Sequence, residues 1–287
     1  PECITHVARL SWQRPALQAR RRWSQFTFKV TGSTLILSLV ARSRVGLAPP
    51  PTKHPVPRVV PDALGRAREQ IPKFGTQDYW EGFYEDNTTG AAEFEWFCSY
   101  DMLKPFVDEF IEPLVAASER AGTERLKLIV AGCGNSLLSN EVYDDFVDST
   151  GKPRLDLWNV DYASAAIARV RRSAGSRQMQ HVVADLRDLG RDEFPDASAD
   201  VILDKGTLDA LFCAGKASVS AAVGEFRRLL RPGGVAVIVS GVPPASEVVS
   251  AFDEWQVMLD GSPYVTDNGD ATINLCAHLY VFSNLRP

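Results

Sequence analysis

Between residues 126 and 240 five short apolar runs recur, at 126–130 (LKLIV), 155–160 (LDLWNV), 180–184 (QHVVA), 200–203 (DVIL) and 235–240 (VAVIVS). Amphipathic stretches with helical spacing separate them, for example 163–172 and 219–230. Parallel strands need long return connections, so this alternation predicts a parallel sheet with crossover helices. The second helix should stop at Arg231-Pro232-Gly233-Gly234, where proline and glycine end it and turn the chain into the next strand. After Ser240 the pattern changes. A helix about 246–252 precedes runs at 255–259 and 273–282, separated by the polar, glycine-containing segment 260–270, which predicts a closing antiparallel hairpin. The expected fold class is α/β, a doubly wound and mostly parallel seven-stranded sheet with an antiparallel carboxyl-terminal hairpin.

Chemistry in such a sheet gathers at the carboxyl ends of the strands. Directly after the first run stands Gly132-Cys133-Gly134-Asn135-Ser136. Glycines at 132 and 134 let the backbone turn sharply and approach a ligand with no Cβ in the way, beside the amino-terminal dipole of the next helix. Asp161 ends the second run, where a carboxylate can accept hydrogen bonds from both ribose hydroxyls of a nucleoside, or can cap the following helix. Asp185 ends the third run, placed to accept an adenine amino group while Leu186 packs on the ring. Three such features at three successive strand ends point to a nucleoside cofactor. A dinucleotide is disfavoured, because the third glycine of its fingerprint is replaced by Leu137. A Tyr-x-x-x-Lys pair, Tyr100 and Lys104, precedes the glycine turn, whereas short-chain reductases carry theirs well after it.

Charge is unevenly placed. Residues 1–70 hold 12 basic and 3 acidic side chains, leaving 19 and 33 for the remainder. An acidic body argues against gripping a phosphate backbone and suits a basic partner such as a lysine-bearing protein. No nucleic-acid partner is expected. Cys3, Cys98, Cys133, Cys213 and Cys276 are scattered, with no C-x-x-C pair and no His cluster, so neither a metal site nor a disulfide framework is expected. The first seventy residues carry a run of prolines from Pro49 to Pro61 and read as a basic, disordered or extended arm, with 71–287 as the folded domain. The apolar run at 34–41 is far shorter than the ~20 residues that span a bilayer. Arg20-Arg21-Arg22 resembles a transit peptide, and the basic-then-apolar order resembles a secretory signal more faintly, while the start at Pro1 leaves a fragment or a mis-called upstream exon as alternatives. A cytoplasmic location is expected, or a mitochondrial or plastid one if the arm is a transit peptide.

Two further stretches narrow the reading. Phe74-Gly75 through Tyr79-Trp80 and Tyr84, followed by Glu95-Trp96-Phe97, stand before the glycine turn; Asp204-Lys205-Gly206-Thr207-Leu208-Asp209 ends the fourth run. With Gly132 to Ser136 they resemble class I, seven-stranded S-adenosylmethionine-dependent methyltransferases of the kind that modify lysines of elongation factor 1-alpha, the methyltransferase-like-13 type. The resemblance covers about residues 74–287. It implies a Rossmann-like methyltransferase fold, S-adenosylmethionine as cofactor and a lysine-bearing protein substrate. It also implies an aromatic lid of Trp80, Tyr84 and Trp96, a glycine turn of Gly132, Gly134 and Asn135 at the methionine part, and Asp161 with Tyr162 at the ribose and adenine. Asp185 and Leu186 would meet the base, and Lys205 would lie at the methionine end.

An aromatic face gains ~0.5 to 2 kcal/mol from a sulfonium cation, which makes the lid physically reasonable. The same rings would also serve as a purely structural cover. Lys205 and Asp204 would otherwise form a mutual ion pair at a strand end. The absence of an N/D-P-P-Y tetrapeptide at 204–207 favours an sp3 amine over a planar nitrogen. Asp204, Thr207 and Asp209 are the substrate-side candidates. Asp204, Asp209 and Glu95 could draw in an ammonium group, and Tyr84 or Tyr100 could take its proton, with no single base marked. A small-molecule methyltransferase and a cofactor-binding scaffold remain the alternatives.

Overall fold

A computed structural model of the chain describes residues 73–85, 94–265 and 276–284. The basic arm, its apolar run at 34–41 and residues 266–275 lie outside the described residues. In chain order the elements are α1 (Gln77–Glu85), α2 (Tyr100–Phe110), α3 (Glu112–Ala121), β1 (Leu126–Ala131), α4 (Leu138–Asp145), β2 (Leu155–Asp161), α5 (Ser164–Ala174) and β3 (Gln180–Val183). They continue as β4 (Ala199–Lys205), α6 (Thr207–Ala214), α7 (Lys216–Leu229), β5 (Leu230–Ser240), α8 (Ala245–Ala251), β6 (Gln256–Val265) and β7 (Cys276–Ser283). The seven strands form one sheet in the order β3-β2-β1-β4-β5-β7-β6. β1 to β5 pair in parallel, and β7 runs antiparallel to both β5 and β6.

Alternation along β1 explains the two-sided core. Leu128 and Val130 join an apolar layer with Leu103, Val107 and Ile111 on one face, while Ile129 and Ala131 join Leu208, Phe226 and Phe252 on the other. Helices therefore cover both faces, and every residue of β4 is buried. The strand order turns from decreasing to increasing between β1 and β4, so a crevice opens beyond their carboxyl ends.

Two boundaries differ from the sequence expectation. β5 begins at Leu230, already paired with Ala199, and the ladder resumes at Val235 with Val201. Arg231 to Gly234 bulge between these stretches, and the bulge is closed by Gly233 N donating to Asn284 O and Asn284 N donating to Gly234 O. The proline and glycines thus stop α7 but do not delay the strand. β6 runs to Val265, so residues 260–265, expected as turn, are strand. Register shifts after Val257 and after Asp260 leave Met258 and Gly261, the latter at φ 100°, out of the pairing on an edge strand, where polar residues can face solvent. Among the described residues no helix is long and apolar enough to cross a membrane.

Candidate functional site

A cleft of about 960 Å³, counting the open solvent at its mouth, lies over the carboxyl edge of the sheet, and its floor is set by backbone geometry. Gly132 and Gly134 turn the chain from β1 toward α4 at φ 60° and 55°. Cys133 N donates to Val160 O at 3.1 Å, tying the turn to β2. A Cβ at 132 would lie 1.9 Å from Thr207 Oγ1, and one at 134 would lie 2.6 Å from the Tyr84 hydroxyl. Both positions need the left-handed backbone and the bare Cα that glycine supplies. Thr207 Oγ1 is held in place by donating toward Ala131 O at 3.0 Å and Gly132 O at 3.2 Å.

Asp161, at the end of β2, is buried beneath the turn. Its Oδ2 accepts from Gly134 N and its Oδ1 from Ala163 N, each at 2.9 Å. Burial pushes its carboxyl up to about 6 even though these N–H groups favour the charged form. Its two expected roles coexist. It steadies the entry to α5, and each carboxylate oxygen keeps a lone pair for a ligand. Asp185 is gripped by Arg187 through Nε and Nη2, the latter at 2.6 Å, and Arg187 holds the carboxyl below its usual range. Arg187 itself lines the cleft. The acid and base two residues apart in Asp185-Leu186-Arg187 were the available signal for this pair.

The roof comes from α1 and residues 94–98. Trp80 stacks on Tyr84 and meets Trp96 edge-on, with ring centroids 5.9 Å apart in both cases. α1 is pinned by Gln77 Nε2 donating to Tyr162 O, Arg169 Nε donating to Tyr84 O, and Glu81 accepting from Ser164 Oγ and Ala165 N. Gly75 lets the chain pass α6, since a Cβ there would stand 2.6 Å from the Ala214 backbone.

Nine of the residues expected at the cofactor line this one cleft: Trp80, Tyr84, Trp96, Gly132, Asp161, Tyr162, Asp185, Leu186 and Lys205. Gly134 and Asn135 line an adjoining hollow of about 330 Å³ that shares Tyr84, Trp96, Gly132 and Lys205 with it. Thr207 and Asp209 also line the main cleft, whereas Asp204 is not on its wall.

Several finer expectations are corrected. Lys205 does not pair with Asp204, because neighbours on a strand face opposite ways. Its Nζ donates instead to Glu95 Oε2 at 2.6 Å and to Trp96 O at 2.9 Å. Asp204 is fully buried, both its oxygens accept from Leu208 N, and burial raises its carboxyl to about 8. It caps α6 and cannot meet a substrate. Glu95 is already committed to the Lys205 ammonium, Ser136 and Leu137, so it is not free to draw in the ammonium of a substrate. Tyr100 donates to Asp145, which also accepts from Lys104, and this network lies away from the cleft lining. Burial holds both Tyr84 and Tyr100 well above the ordinary phenol range, which leaves neither suited to take a proton.

Asp209 is the remaining acid of the expected set. Its Oδ1 accepts from Gly241 N at 3.0 Å and Val242 N at 2.6 Å. Burial moves its carboxyl up to about 6 against these bonds. Ser240 lies close enough to lower that value, yet neither Asp209 Oδ2 nor Ser240 Oγ makes a hydrogen bond of acceptable geometry. Among the described residues no group of His, Cys, Asp and Glu is arranged to hold a metal ion.

Residues 129–238, from β1 through most of β5, match the family described as Methyltransferase domain. The chain carries an S-adenosylmethionine-dependent methyltransferase domain. This methyltransferase domain has curated relatives. The mouse eEF1A lysine and N-terminal methyltransferase is 33% identical over 172 residues, 58% of this chain and 22% of that protein. The bovine EEF1A lysine methyltransferase 4 is 30% identical over 177 residues, 58% of this chain and 61% of that protein. The chain thus spans about a fifth of the length of the first of these. A solved methyltransferase from Methanosarcina mazei shares 14% identity at a TM-score of 0.49, covering 64% of this chain and 98% of that one. The strand order β3-β2-β1-β4-β5-β7-β6 is that of a Rossmann-like methyltransferase fold. The cleft also fits the cofactor chemically. It offers a glycine cradle that a Cβ would fill, one carboxylate ending β2 and another two residues beyond the end of β3, and aromatic faces for a cation.

Proposed function

We propose that this chain is a protein-lysine N-methyltransferase whose substrate resembles elongation factor 1-alpha. The observation that carries the reading is the roofed cleft, in which the glycine turn, two strand-end acids and three aromatic residues converge. The names of the matched relatives add the acceptor, since both specify lysine and one adds a protein amino terminus. In this reading Trp80, Tyr84 and Trp96 shelter the sulfonium, and Gly132, Gly134, Asn135 and Lys205 surround the methionine part. Asp161 and Tyr162 take the ribose and adenine edge, and Asp185 with Leu186 takes the base. S-adenosylmethionine supplies an electrophilic methyl group when bound.

The protein's own contribution is positioning. A roofed cleft excludes water and aligns an amine with the methyl group, and such alignment alone can lower a barrier by ~7 to 11 kcal/mol. The amine must shed one proton before it attacks. Asp209 is assigned to the acceptor end because it lines the cleft, with its buried carboxylate fixed there by Gly241 N and Val242 N. Thr207 serves from the floor by fixing the Gly132 carbonyl. A small-molecule amine is the second reading, favoured by the apolar side chains of Phe74, Leu211 and Val242 on the same wall.

The test is methyl transfer by the full chain from radiolabelled S-adenosylmethionine to elongation factor 1-alpha, with the labelled residue located by mass spectrometry. Label on a lysine is the expected result. Cofactor binding with transfer only to small amines would replace the substrate, and binding with no transfer to any amine would leave a scaffold.

A further inference from the structure

Glu95 stands where the roof, the glycine turn and the sheet edge meet. Ser136 Oγ donates to both of its oxygens, at 2.9 and 2.7 Å, and Leu137 N donates to Oε1 at 2.7 Å. These donors belong to the first residues of the turn into α4, whose orphan N–H groups and positive dipole end suit an anion. On its other side Oε2 accepts from Lys205 Nζ at 2.6 Å, with the lysine side chain only 4% exposed. The same ammonium donates to the Trp96 carbonyl, one residue along from Glu95. Next in the chain, Phe97 is buried in the left-handed region at φ 64°, an unfavourable place for a bulky side chain. Gly206 accommodates its ring, since a Cβ there would lie 2.9 Å from Phe97 Cε2. A strained, side-chain-held segment therefore carries Trp96 over the cleft, and the Glu95 carboxylate is its anchor.

We propose that Glu95 is a positioning residue for the cofactor. By binding Ser136, Leu137 and Lys205 at once, it sets Trp96 across the cleft and fixes the Lys205 ammonium on the wall, touching neither cofactor nor substrate itself. The inference rests on the reading that this cleft takes S-adenosylmethionine, and it is independent of which amine is methylated. It also separates Glu95 from the role of a proton acceptor, because the carboxylate is already met by a hydroxyl, a backbone N–H and an ammonium.

Glu95→Gln keeps the shape but removes the charge and turns an NH2 group toward either Lys205 or the α4 amino terminus. The measurement is calorimetric titration of the full chain with S-adenosylhomocysteine, for wild type, Glu95→Gln, Lys205→Met and the double variant, beside thermal midpoints and pH profiles of kcat/KM. Each single variant is expected to weaken binding by about tenfold or more. The double variant should be little worse than the weaker single, since one linkage is cut twice. KM for the amine substrate and the shape of the pH profile should stay as in the wild type. Unchanged affinity in a folded Glu95→Gln overturns the proposal. So does a lost acidic limb in kcat/KM with affinity intact, which would make Glu95 the proton acceptor, and so does a lowered thermal midpoint with affinity intact, which would make it merely structural. A wild-type chain that binds no S-adenosylhomocysteine would instead sink the cofactor reading beneath it. Should Glu95→Gln fail to fold, Glu95→Asp, which keeps the charge on a shorter arm, carries the same test with the same expected loss.

Discussion

The floor of the cleft is held together by backbone N–H groups donating to acceptors built into the fold: Cys133 N to the Val160 carbonyl, Gly134 N and Ala163 N to the buried Asp161 carboxylate, and Gly241 N and Val242 N to the buried Asp209 carboxylate. The roof is held by side chains: Gln77, Glu81 and Arg169 around α1, Glu95 and Lys205 around residues 94–98, and edge-to-face contacts between aromatic rings. Backbone donors at the edge of the sheet and the buried carboxylates they meet stay in place as long as the core does. The partly exposed side-chain contacts of the roof can be removed singly while the sheet stands. The floor should therefore behave as part of the global fold, and the roof as a separable device that acts on affinity more than on stability.

The severest test of this contrast is Gly132→Ala. A methyl group there would lie 1.9 Å from Thr207 Oγ1, on a backbone at φ 60°. Thr207 cannot swing aside without releasing the Ala131 and Gly132 carbonyls. Strain of this kind costs ~1 to 3 kcal/mol before any ligand is considered. Affinity for S-adenosylhomocysteine should fall by about 100-fold, and the thermal midpoint should drop with it. A stable Gly132→Ala protein with normal affinity would show that the floor is not the rigid part.

The same division explains what could be read from the sequence. Floor residues announce themselves locally, because Gly132, Asp161 and Asp185 each follow an apolar run directly and the strand delivers them to one edge. The roof does not. Glu95 and Lys205 are 110 residues apart, and nothing in their neighbourhoods names the partner. The adjacency of Asp204 and Lys205 suggested a pair that strand alternation forbids, an error the period of 2 could have prevented. Gly75 carries no periodic signal at all, and its reason is an approach to α6 nearly 140 residues away. Along β6 a glycine and polar residues imitate a turn, whereas edge-strand bulges accommodate them.

A smaller effect, confined to the roof, is expected for Trp80→Ala. Trp80 touches Tyr84 and Trp96 and donates to Phe74 O at 2.6 Å, but it takes no part in the sheet. If its face meets the sulfonium, the loss should be about tenfold for the charged S-adenosylmethionine and clearly less for neutral S-adenosylhomocysteine. The thermal midpoint should move by only a few degrees. Equal losses for both ligands would mean that the indole contributes packing alone. Smaller again is Asp209→Asn, for which KM of the amine substrate should rise several-fold with homocysteine-product affinity unchanged. Weakened cofactor binding in that variant would move Asp209 from the acceptor end to the cofactor.

The least effect on binding is expected from Asp204→Asn, and it tests the floor's union with the fold through pH. Asp204 is buried away from the cleft, with its carboxyl raised to about 8, and Asp161 and Asp209 are raised to about 6. A carboxyl whose folded pKa exceeds its unfolded value of ~3.9 binds more protons folded than unfolded. Its stabilising contribution is therefore complete below about pH 4 and is lost as pH rises through the folded value. These floor acids should make the wild-type protein less stable at pH 8 than at pH 5. Exposed paired acids such as Glu119 and Asp144, held low by arginines, act in the opposite sense only toward acid pH. Asn keeps an oxygen for Leu208 N but cannot ionise. The variant should match the wild type near pH 5 and exceed its thermal midpoint by several degrees at pH 8, at about 2 to 4 °C per kcal/mol. Affinity for S-adenosylhomocysteine should not change at either pH. A midpoint difference that stays flat from pH 5 to 8 would mean that Asp204 titrates as an ordinary surface acid, and the floor would lose its claim to be continuous with the core.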